Sequence, residues 1–390
     1  MRVLLFTGKG GVGKTSAALA TALCAARGGQ RTLALSTDAA HSLGDALGRP
    51  VGPRPVEIEP QLFAQEVAPL AELDRSWAEI QEWLAALLLE DESPLAEELL
   101  VFPGFEELVA LRAVGEAERS GRYDLCVVDC APTASTLRML RLPDLLRQAM
   151  EGLWGWKRRA ARALRPLAEG LGAGHLIAPE SVFDAVEQLA AEVEGVRQIL
   201  LDESRTSARL VLNPARVVVE ESRRAFAYLS LYGVATDCVV VNRLLPESAR
   251  EGYFARWAER ERTELAEIEK SFPVPRLCAS LHAGELRGAE ALAELGRELY
   301  AEGDPAARLS TRRPLRFERD EAGARLAIDL PTADPGQVDV RVRGDDLAVS
   351  VRDFERRVAL PASWVGLRLE SSGWRDGVFE VRFAPPTGAP

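Results

Sequence analysis

A glycine-rich octapeptide carrying two lysines lies near the start of the chain. Residues 8–15 read Gly-Lys-Gly-Gly-Val-Gly-Lys-Thr and follow the apolar run of residues 3–6 directly. The order of strand, glycine-rich loop and helical pattern is typical of a P-loop, whose backbone N–H groups surround phosphate oxygens. In this pattern Lys14 reaches the β- and γ-phosphates, and the Thr15 hydroxyl is a ligand of Mg²⁺. The sequence therefore predicts a site for ATP or GTP with Mg²⁺. The predicted contacts are Gly8, Lys9, Gly10, Gly11, Val12, Gly13, Lys14, Thr15 and Ser16.

The lysine at position 9 is not required by an ordinary P-loop. One interpretation makes Lys9 a solvated surface residue, which is the usual place of a lysine. The other interpretation is a deviant P-loop, in which the extra lysine crosses a dimer interface to the nucleotide of the partner. The literal sequence Gly-Lys-Gly-Gly-Val-Gly-Lys-Thr favours the second interpretation.

Two aspartates follow predicted strands. Asp129 ends the apolar run of residues 124–129, where a carboxylate is expected to support Mg²⁺. Asp38 follows the run of residues 31–36 and is our candidate for a metal-site carboxylate that orients the attacking water. Phosphoryl transfer requires such a metal, a positioned water and cancellation of developing negative charge. Asp38 also fits an ordinary helix N-cap or turn, for which aspartate is common.

The order of elements predicts an α/β fold with a doubly wound, mostly parallel sheet. Predicted strands alternate with helical patterns through residues 1–301, which we assign to a P-loop ATPase domain. Helical patterns over about 60–120 and 142–202 predict a helical subdomain. The predicted strands are residues 3–6, 31–36, 124–129, 209–213 and 238–242.

Apolar stripes in the predicted helical subdomain allow two interpretations. They are either ordinary helix–helix core or the lining of an apolar groove for a client segment. The residues are Trp77, Trp83, Leu87, Leu88, Leu89, Leu145, Leu146, Met150, Leu153, Trp154 and Trp156.

The pattern changes after Tyr300. Residues 302–313 have the composition of a linker, and residues 385–390 form a tail rich in proline and glycine. Between them, residues 314–384 contain short alternating runs separated by turn residues. This pattern predicts a small all-β sandwich.

Composition excludes several classes of protein. The 390 residues carry a formal net charge of −11, which argues against nucleic-acid binding. No apolar run approaches the roughly 18 residues that span a bilayer, so we expect no stable membrane insertion. The five cysteines form no Cys-x-x-Cys pair and are expected to be reduced thiols in apolar surroundings. With a core strand at the N-terminus and no signal peptide before it, these features predict a cytoplasmic enzyme.

The ordered motifs resemble those of the ArsA-type ATPases, which include the arsenite-pump ATPase and the ATPase that targets tail-anchored membrane proteins. The resemblance covers about residues 1–300. It rests on the deviant P-loop, a first switch at 38–42, a second switch at 129–138 and a base-binding segment at 241–243.

The resemblance implies an ATP-hydrolysing homodimer that uses Mg²⁺. In this family Lys9 corresponds to the intersubunit contact, Lys14 and Thr15 to the phosphate and metal contacts, and Asp38 to water activation. Asn242 corresponds to the residue that contacts adenine, with residues 275–288 near the base.

Some positions depart from the family pattern. The first switch has Ala39 in place of proline, and the second has Cys130, Ala134 and Ser135 in place of threonine and Gly-His. These changes concern the coupling of the switches and leave the phosphate and metal residues unchanged. The Cys-x-x-Cys zinc motif of tail-anchor relatives and the cysteine trio of arsenite relatives are both missing from the sequence.

The C-terminal segment resembles an α-crystallin-like domain in residues 357–361 and 376–381. Together the two resemblances imply a nucleotide switch that binds and releases a hydrophobic client, such as a transmembrane helix. An ATP-dependent chaperone or scaffold for soluble clients is the alternative, and a subunit of a metalloid-efflux ATPase is a third possibility.

Overall fold

The structure is a computed structural model. It describes residues 1–37, 42–67, 105–131, 133, 135–138, 140, 180–301, 303–320, 323–331, 333, 335–344, 346–352, 354–375 and 377–385.

Eight strands form one sheet in the N-terminal part of the chain, in the order β3-β4-β2-β5-β1-β6-β7-β8. Every neighbouring pair is parallel except β3 with β4. The predicted doubly wound, mostly parallel sheet is therefore confirmed. The strands are β1 (Arg2–Thr7), β2 (Thr32–Ser36), β3 (Val56–Glu59), β4 (Leu62–Glu66), β5 (Leu125–Asp129), β6 (Thr206–Leu212), β7 (Thr236–Leu244) and β8 (Arg276–Ser280).

Helices cover both faces of this sheet. Alternate residues of β1 belong to different cores: Leu4 and Phe6 pack on one face, and Val3 and Leu5 pack on the other. Burial on both faces explains why the central strands are continuous apolar runs. The described helices are α1 (Lys14–Arg27), α2 (Ser42–Leu47), α3 (Phe105–Ser120), α4 (Glu180–Leu201), α5 (Arg216–Tyr232), α6 (Ala255–Ser271) and α7 (Ala289–Tyr300).

The five strands predicted in this part of the chain are all present, but three more are not in the prediction. Residues 56–59, 62–66 and 276–280 form strands. The expectation of a helical region from about residue 60 is therefore wrong for β4. This strand adds to the sheet beside β2, whose pairing is a long-range contact that local periodicity does not reveal. The apolar stripe residues between 77 and 89 and between 145 and 156 lie outside the described residues.

The C-terminal part consists of antiparallel β-structure, as expected. A four-stranded sheet has the order β14-β15-β10-β9, and a three-stranded sheet has the order β11-β12-β13. Leu326 and Val381 of the first sheet share a buried core with Leu347 and Val349 of the second. The strands are β9 (Leu315–Arg319), β10 (Ala324–Asp329), β11 (Val338–Arg343), β12 (Asp346–Val351), β13 (Phe354–Ala359), β14 (Arg368–Arg375) and β15 (Val378–Ala384).

This β-region packs against α5 of the N-terminal part. Leu231 of α5 is fully buried within the core of the β-region. Phe354 of β13 stacks on Tyr228 with ring centroids 4.5 Å apart, and the Arg356 guanidinium lies 4.2 Å from the ring centroid of Tyr232. The two parts of the chain therefore share apolar surface.

None of the helices in the described ranges has both the length and the apolar character needed to cross a bilayer.

Candidate functional site

The P-loop connects β1 to α1 with a backbone that requires glycine. Gly13 has φ 95°, and a Cβ atom there would lie 2.2 Å from Nδ2 of Asn242. Gly8 has φ 149°, and its Cβ would lie 2.2 Å from the Val211 carbonyl oxygen. The loop follows the carboxyl end of β1, which lies between β5 and β6 in the sheet. It therefore opens at the carboxyl edge of the sheet, where ligands bind in open α/β folds.

Asn242 of β7 is hydrogen-bonded to this loop. Its Nδ2 donates to the Val12 carbonyl at 2.9 Å, and its Oδ1 accepts from the backbone N–H of Arg243 at 2.9 Å. The side chain is buried and lines the cleft beside the loop. It therefore holds the P-loop in place, while its contact with adenine stays a prediction.

Three hydroxyl and carboxylate groups converge where α1 begins. Thr15 Oγ1 donates to Asp129 Oδ2 at 2.6 Å, and Ser42 Oγ lies 3.4 Å from the same carboxylate oxygen. The two hydroxyl oxygens are 3.3 Å apart. Mg²⁺ prefers oxygen ligands and a compact octahedral shell, so this partly buried group of hard oxygens fits the ion.

Ser42 is not among the predicted ligands. It is the last residue of the first-switch motif 38–42, and this position in the motif is the sequence feature that could have identified it as a ligand. Its approach to Asp129 depends on the packing of α2 against α1 and β4, which the sequence does not show.

Lys14 is buried at the first turn of α1. Its Nζ donates to the Lys9 carbonyl at 3.4 Å, so the side chain folds back over the P-loop. An ammonium in this position faces the space that the loop surrounds, as the phosphate prediction requires.

Lys9 lies at the rim of the loop and contacts α5. Its Nζ is 3.0 Å from Oε2 of Glu221, and the two side chains are 37% and 30% exposed. An ion pair with this exposure contributes about 0–1 kcal/mol, so Lys9 is held weakly. Whether Lys9 acts across a dimer interface stays a prediction.

A cleft of about 600 Å³ opens beside the P-loop. This volume is within the usual range for a small-molecule site of roughly 300–1,000 Å³. The segment expected near the base contributes residues from Ser280 to Arg287 to the lining. The backbone N–H of Gly288 also donates to the Ala46 carbonyl of α2 at 2.8 Å, which connects this segment to the helix that carries Ser42. The lining residues are Gly13, Thr15, Ser16, Ser42, Asp45, Ala46, Asn242, Arg243, Ser280, Leu281, His282, Gly284, Glu285, Leu286 and Arg287.

Asp38, Ala39 and Ala134 lie outside the described residues. The residue before Asp38 is described: the backbone N–H of Thr37 donates to the Asp129 carbonyl at 3.0 Å. The ends of β2 and β5 are therefore hydrogen-bonded to each other next to the Asp129 carboxylate. In the second switch, Thr136 Oγ1 lies 3.1 Å from Thr7 Oγ1 at the end of β1.

The thiols Cys126 and Cys130 are fully buried on and beside β5. The pKa of each thiol is raised to about 12, mainly by burial, and for Cys130 the neighbouring Asp129 carboxylate contributes to that rise. Both are therefore protonated and unreactive at neutral pH. Cys278 is exposed, so the expectation of apolar surroundings is wrong for this residue. Among the described residues, no group of three or more histidine, cysteine or acidic side chains is placed to hold a metal ion.

Residues 1–301 match the model of the anion-transporting ATPase family, ArsA, and residues 321–383 match the HSP20-like domain found in ArsA. A protein of Chlorobaculum tepidum named as an arsenical pump-driving ATPase is 35% identical over 98% of this chain and 96% of its own length. An uncharacterized protein of Streptomyces coelicolor is 36% identical over 99% of this chain and 98% of its length. The ATPase GET3 of Malassezia globosa is 28% identical over 75% of this chain and 88% of its length.

Proposed function

The chain belongs to the ArsA-type anion-transporting ATPase family, and on that premise we propose that it is a homodimeric, ATP-driven switch that binds and releases a hydrophobic client. The family model covers the ATPase part, and the C-terminal β-region is an HSP20-like domain of the kind found in ArsA. Targeting of tail-anchored or other membrane proteins is the role that we favour.

The observation that carries this proposal is the convergence of phosphate and metal groups at the edge of an open cleft. Lys14 would bind the β- and γ-phosphates, and Thr15, Ser42 and Asp129, which lie together at the start of α1, would hold Mg²⁺. An ion held there would neutralise charge on the phosphates. Asp38, which follows the β2–β5 junction directly, orients the attacking water.

The dimeric part of the proposal rests on Lys9. Its ammonium group is at the rim of the P-loop, with about a third of the side chain exposed, and one exposed carboxylate holds it. ATP draws two copies together when Lys9 leaves Glu221 and reaches the phosphates bound to the partner. Hydrolysis then removes the γ-phosphate, which provides the differential contact that a switch requires.

The client assignment rests on the similarity to GET3 and on the apolar stripes in the sequence. An ATP-dependent chaperone or scaffold for soluble clients is favoured by one observation: the β-region packs on α5, the helix that also carries Glu221. Metalloid efflux is supported by the names of relatives. It is disfavoured by Cys126 and Cys130, whose buried and protonated thiols do not offer thiolate ligands.

The Asp38→Asn variant tests the switch and its client together. With ATP and Mg²⁺ it should retain binding, lose turnover and accumulate as a closed dimer that captures a labelled apolar peptide of roughly 20 residues. A charged peptide of scrambled sequence is the control for capture, and arsenite-stimulated turnover of the wild type tests the efflux alternative. If the closed dimer does not capture the apolar peptide, the alternative function, an ATP-dependent chaperone or scaffold for soluble clients, is favoured.

The Lys9→Ala variant tests the dimeric mechanism separately. Turnover should fall by a larger factor than ATP affinity, because Lys9 acts only when two copies meet. An unchanged rate would make Lys9 an ordinary surface lysine. The control is Lys270→Ala, because Lys270 is an exposed lysine that pairs with Glu267 at 3.1 Å.

A further inference from the structure

A buried glutamate ends β4 beside the helix that carries Ser42. Glu66 is the last residue of the strand, and only 2% of it is exposed. Its Oε1 accepts the backbone N–H of Gly44 in α2 at 2.9 Å. Glutamate is rarely buried to this extent, because the loss of its contacts with water has to be offset by hydrogen bonds within the protein. The proposed function gives this residue no role so far.

Strand alternation places Glu66 on the same face of the sheet as Asp129. Leu62 and Ala64 of β4 pack in the core that α1 and α2 also join, and Glu66 follows them at the same two-residue spacing. The pairing of β4 with β2 sets Glu66 opposite Ser36, and Ser36 is also opposite Asp129 of β5. The two acidic residues therefore lie at the same level of the sheet, one on each side of β2.

The backbone around Glu66 is held on both sides. The N–H of Glu66 donates to the Gly52 carbonyl at 3.0 Å, and the N–H of Val67 donates to the Ser36 carbonyl at 3.0 Å. The side chain of Glu66 therefore extends from a fixed point of the sheet. Its bond to Gly44 ties α2 to that point.

Helix α2 depends on its contacts with the rest of the fold. It has six residues, and so short a helix is not stable alone in water. Its apolar side is fixed by Leu43, which is fully buried in the core. Its backbone is held by Glu66 at the Gly44 N–H and by the Gly288 N–H at the Ala46 carbonyl. The position of the helix therefore follows the residues that hold it.

We propose that Glu66 is a positioning residue for the Mg²⁺ site and acts through Ser42. Ser42 begins α2 two residues before Gly44, and its Oγ lies 3.4 Å from Oδ2 of Asp129. When the bond from Glu66 is lost, the start of α2 is free to move and Ser42 no longer has a fixed place beside Asp129. Removal of a hydrogen-bond partner that orients a metal ligand typically lowers metal affinity by about 10–100-fold. The inference rests on the proposed function, which makes Ser42 a ligand of Mg²⁺.

Two full-length variants separate the reach of Glu66 from its charge. Glu66→Gln keeps an oxygen at the same distance from the backbone and removes the charge, whereas Glu66→Asp keeps the charge and withdraws the oxygen by one C–C bond. Both side chains are polar and close in size to glutamate, so the fold should be retained.

Binding of Mn²⁺, which replaces Mg²⁺ and is detected by electron paramagnetic resonance, measures the effect without turnover. The titration is made at equilibrium with the non-hydrolysable ATP analogue AMP-PNP. The Mn²⁺ dissociation constant should rise at least ~10-fold in Glu66→Asp and change by less than ~3-fold in Glu66→Gln. The opposite order is expected of a residue that binds the ion itself, because direct binding depends on the charge of the carboxylate.

Gln65→Ala is the matched control for a loss of stability. Gln65 precedes Glu66 in β4 and is 6% exposed, and its Nε2 donates to the Pro53 carbonyl at 2.8 Å. This bond joins β4 to the chain beyond α2. Its loss should lower the urea midpoint of unfolding and leave the Mn²⁺ dissociation constant unchanged.

A double-mutant cycle with Ser42→Ala tests the route of the effect. Because Glu66 acts through Ser42, the change caused by Glu66→Asp should fall to less than ~2-fold when Ser42 is already replaced. An effect of equal size in both backgrounds would contradict a route through Ser42.

Two results for the single variants would overturn the proposal. One is equal Mn²⁺ affinity in the wild type and in Glu66→Asp, and the other is a loss confined to Glu66→Gln, which would make Glu66 a direct ligand of the ion. If the wild type binds both AMP-PNP and Mn²⁺, these results overturn this inference alone. A wild type that binds neither would overturn the proposed function and this inference with it.

Discussion

The two ends of the ATPase sheet use charged residues in opposite ways. Away from the carboxyl edge, Arg209 in the middle of β6 and Asp237 near the start of β7 are fully buried and paired at 3.3 Å. The Arg209 guanidinium also donates to the Tyr300 hydroxyl at 2.8 Å and to the Ala307 carbonyl at 3.0 Å. At the carboxyl edge, Lys14 and Asp129 contact hydroxyls and a backbone carbonyl beside an open cleft.

Burial of charge alone therefore does not identify a functional site. The Arg209 cluster is the more deeply buried of the two, and its members satisfy one another. Burial raises the pKa of Tyr300 to about 12, so the phenol stays protonated and remains a partner of Arg209 and of Thr21 in α1. At the carboxyl edge, the charged groups adjoin space that a ligand can fill. This difference between the two groups of charged residues leads to four predictions.

The largest effect is expected from breaking the buried pair. Arg209→Ala leaves the buried Asp237 with Arg2 as its remaining cation at 3.2 Å, and it also removes the donor to Tyr300 and to the Ala307 carbonyl. It should lower the free energy of unfolding by about 3–5 kcal/mol. Urea denaturation measures this change.

The control is Arg31→Ala, which removes the exposed Arg31–Asp124 pair and should lower the free energy of unfolding far less. An equal loss of unfolding free energy in the two variants would contradict the assignment of Arg209 as a residue that stabilises the fold.

The next effect should appear in binding and not in stability. Lys14→Ala removes the ammonium that faces the phosphates and should weaken ATP binding by about 100-fold, as expected for charge-assisted contacts. The unfolding free energy should change by less than about 1 kcal/mol. Isothermal titration calorimetry and urea denaturation of the same samples separate the two quantities. Retained affinity would overturn the P-loop assignment.

Two aspartates at opposite ends of β5 provide a matched pair. Asp129→Asn should lower turnover and raise the Mg²⁺ concentration for half-maximal activity by about 10-fold or more, because a carboxylate that holds the ion is lost. Asp124→Asn, which precedes the strand and pairs with Arg31, should change neither quantity. A Mg²⁺ titration of steady-state turnover measures both. Similar curves for the two variants would remove Asp129 from the metal site.

The smallest effect concerns the rim of the P-loop. Glu221→Gln releases Lys9 from an exposed ion pair of about 0–1 kcal/mol, so turnover at limiting protein concentration should rise by no more than about 5-fold. Glu220→Gln is the control, since Glu220 pairs with Arg223 on the same helix. A fall in turnover would show that Glu221 supports the reaction and does not restrain Lys9.

Sequence reasoning found the parts of the site that are encoded locally. The P-loop and Asp129 are continuous with apolar strands, so their patterns predict both structure and role. Ser42 and Glu221 were not found, because each contacts a residue far away in the chain. Glu221 Oε2 lies 3.0 Å from Lys9 Nζ in the folded chain, although most of the ATPase sequence separates the two residues.

The strands that the sequence did not predict were missed for the same reason, because contacts between distant parts of the chain define them. The strand at 56–59 is exposed at its start, and the strand at 62–66 is defined by its pairing with β2. Arg209 is another example. It lies within an apolar strand, where a buried arginine requires partners that only the folded chain brings together.

The position of β1 also constrains how this protein is made. β1 lies between β5 and β6, pairing with residues 125–129 on one side and with residues 206–210 on the other. A ribosome adds roughly 5–20 residues per second, so β1 waits about 10–40 s for its second neighbour. Until β6 is made, one edge of this apolar strand has no neighbour to pair with, even after β5 has joined the other edge. We expect nascent chains that end before β6 to depend on ribosome-associated chaperones and to be sensitive to protease, with protection of β1 appearing only after residue 212 has emerged.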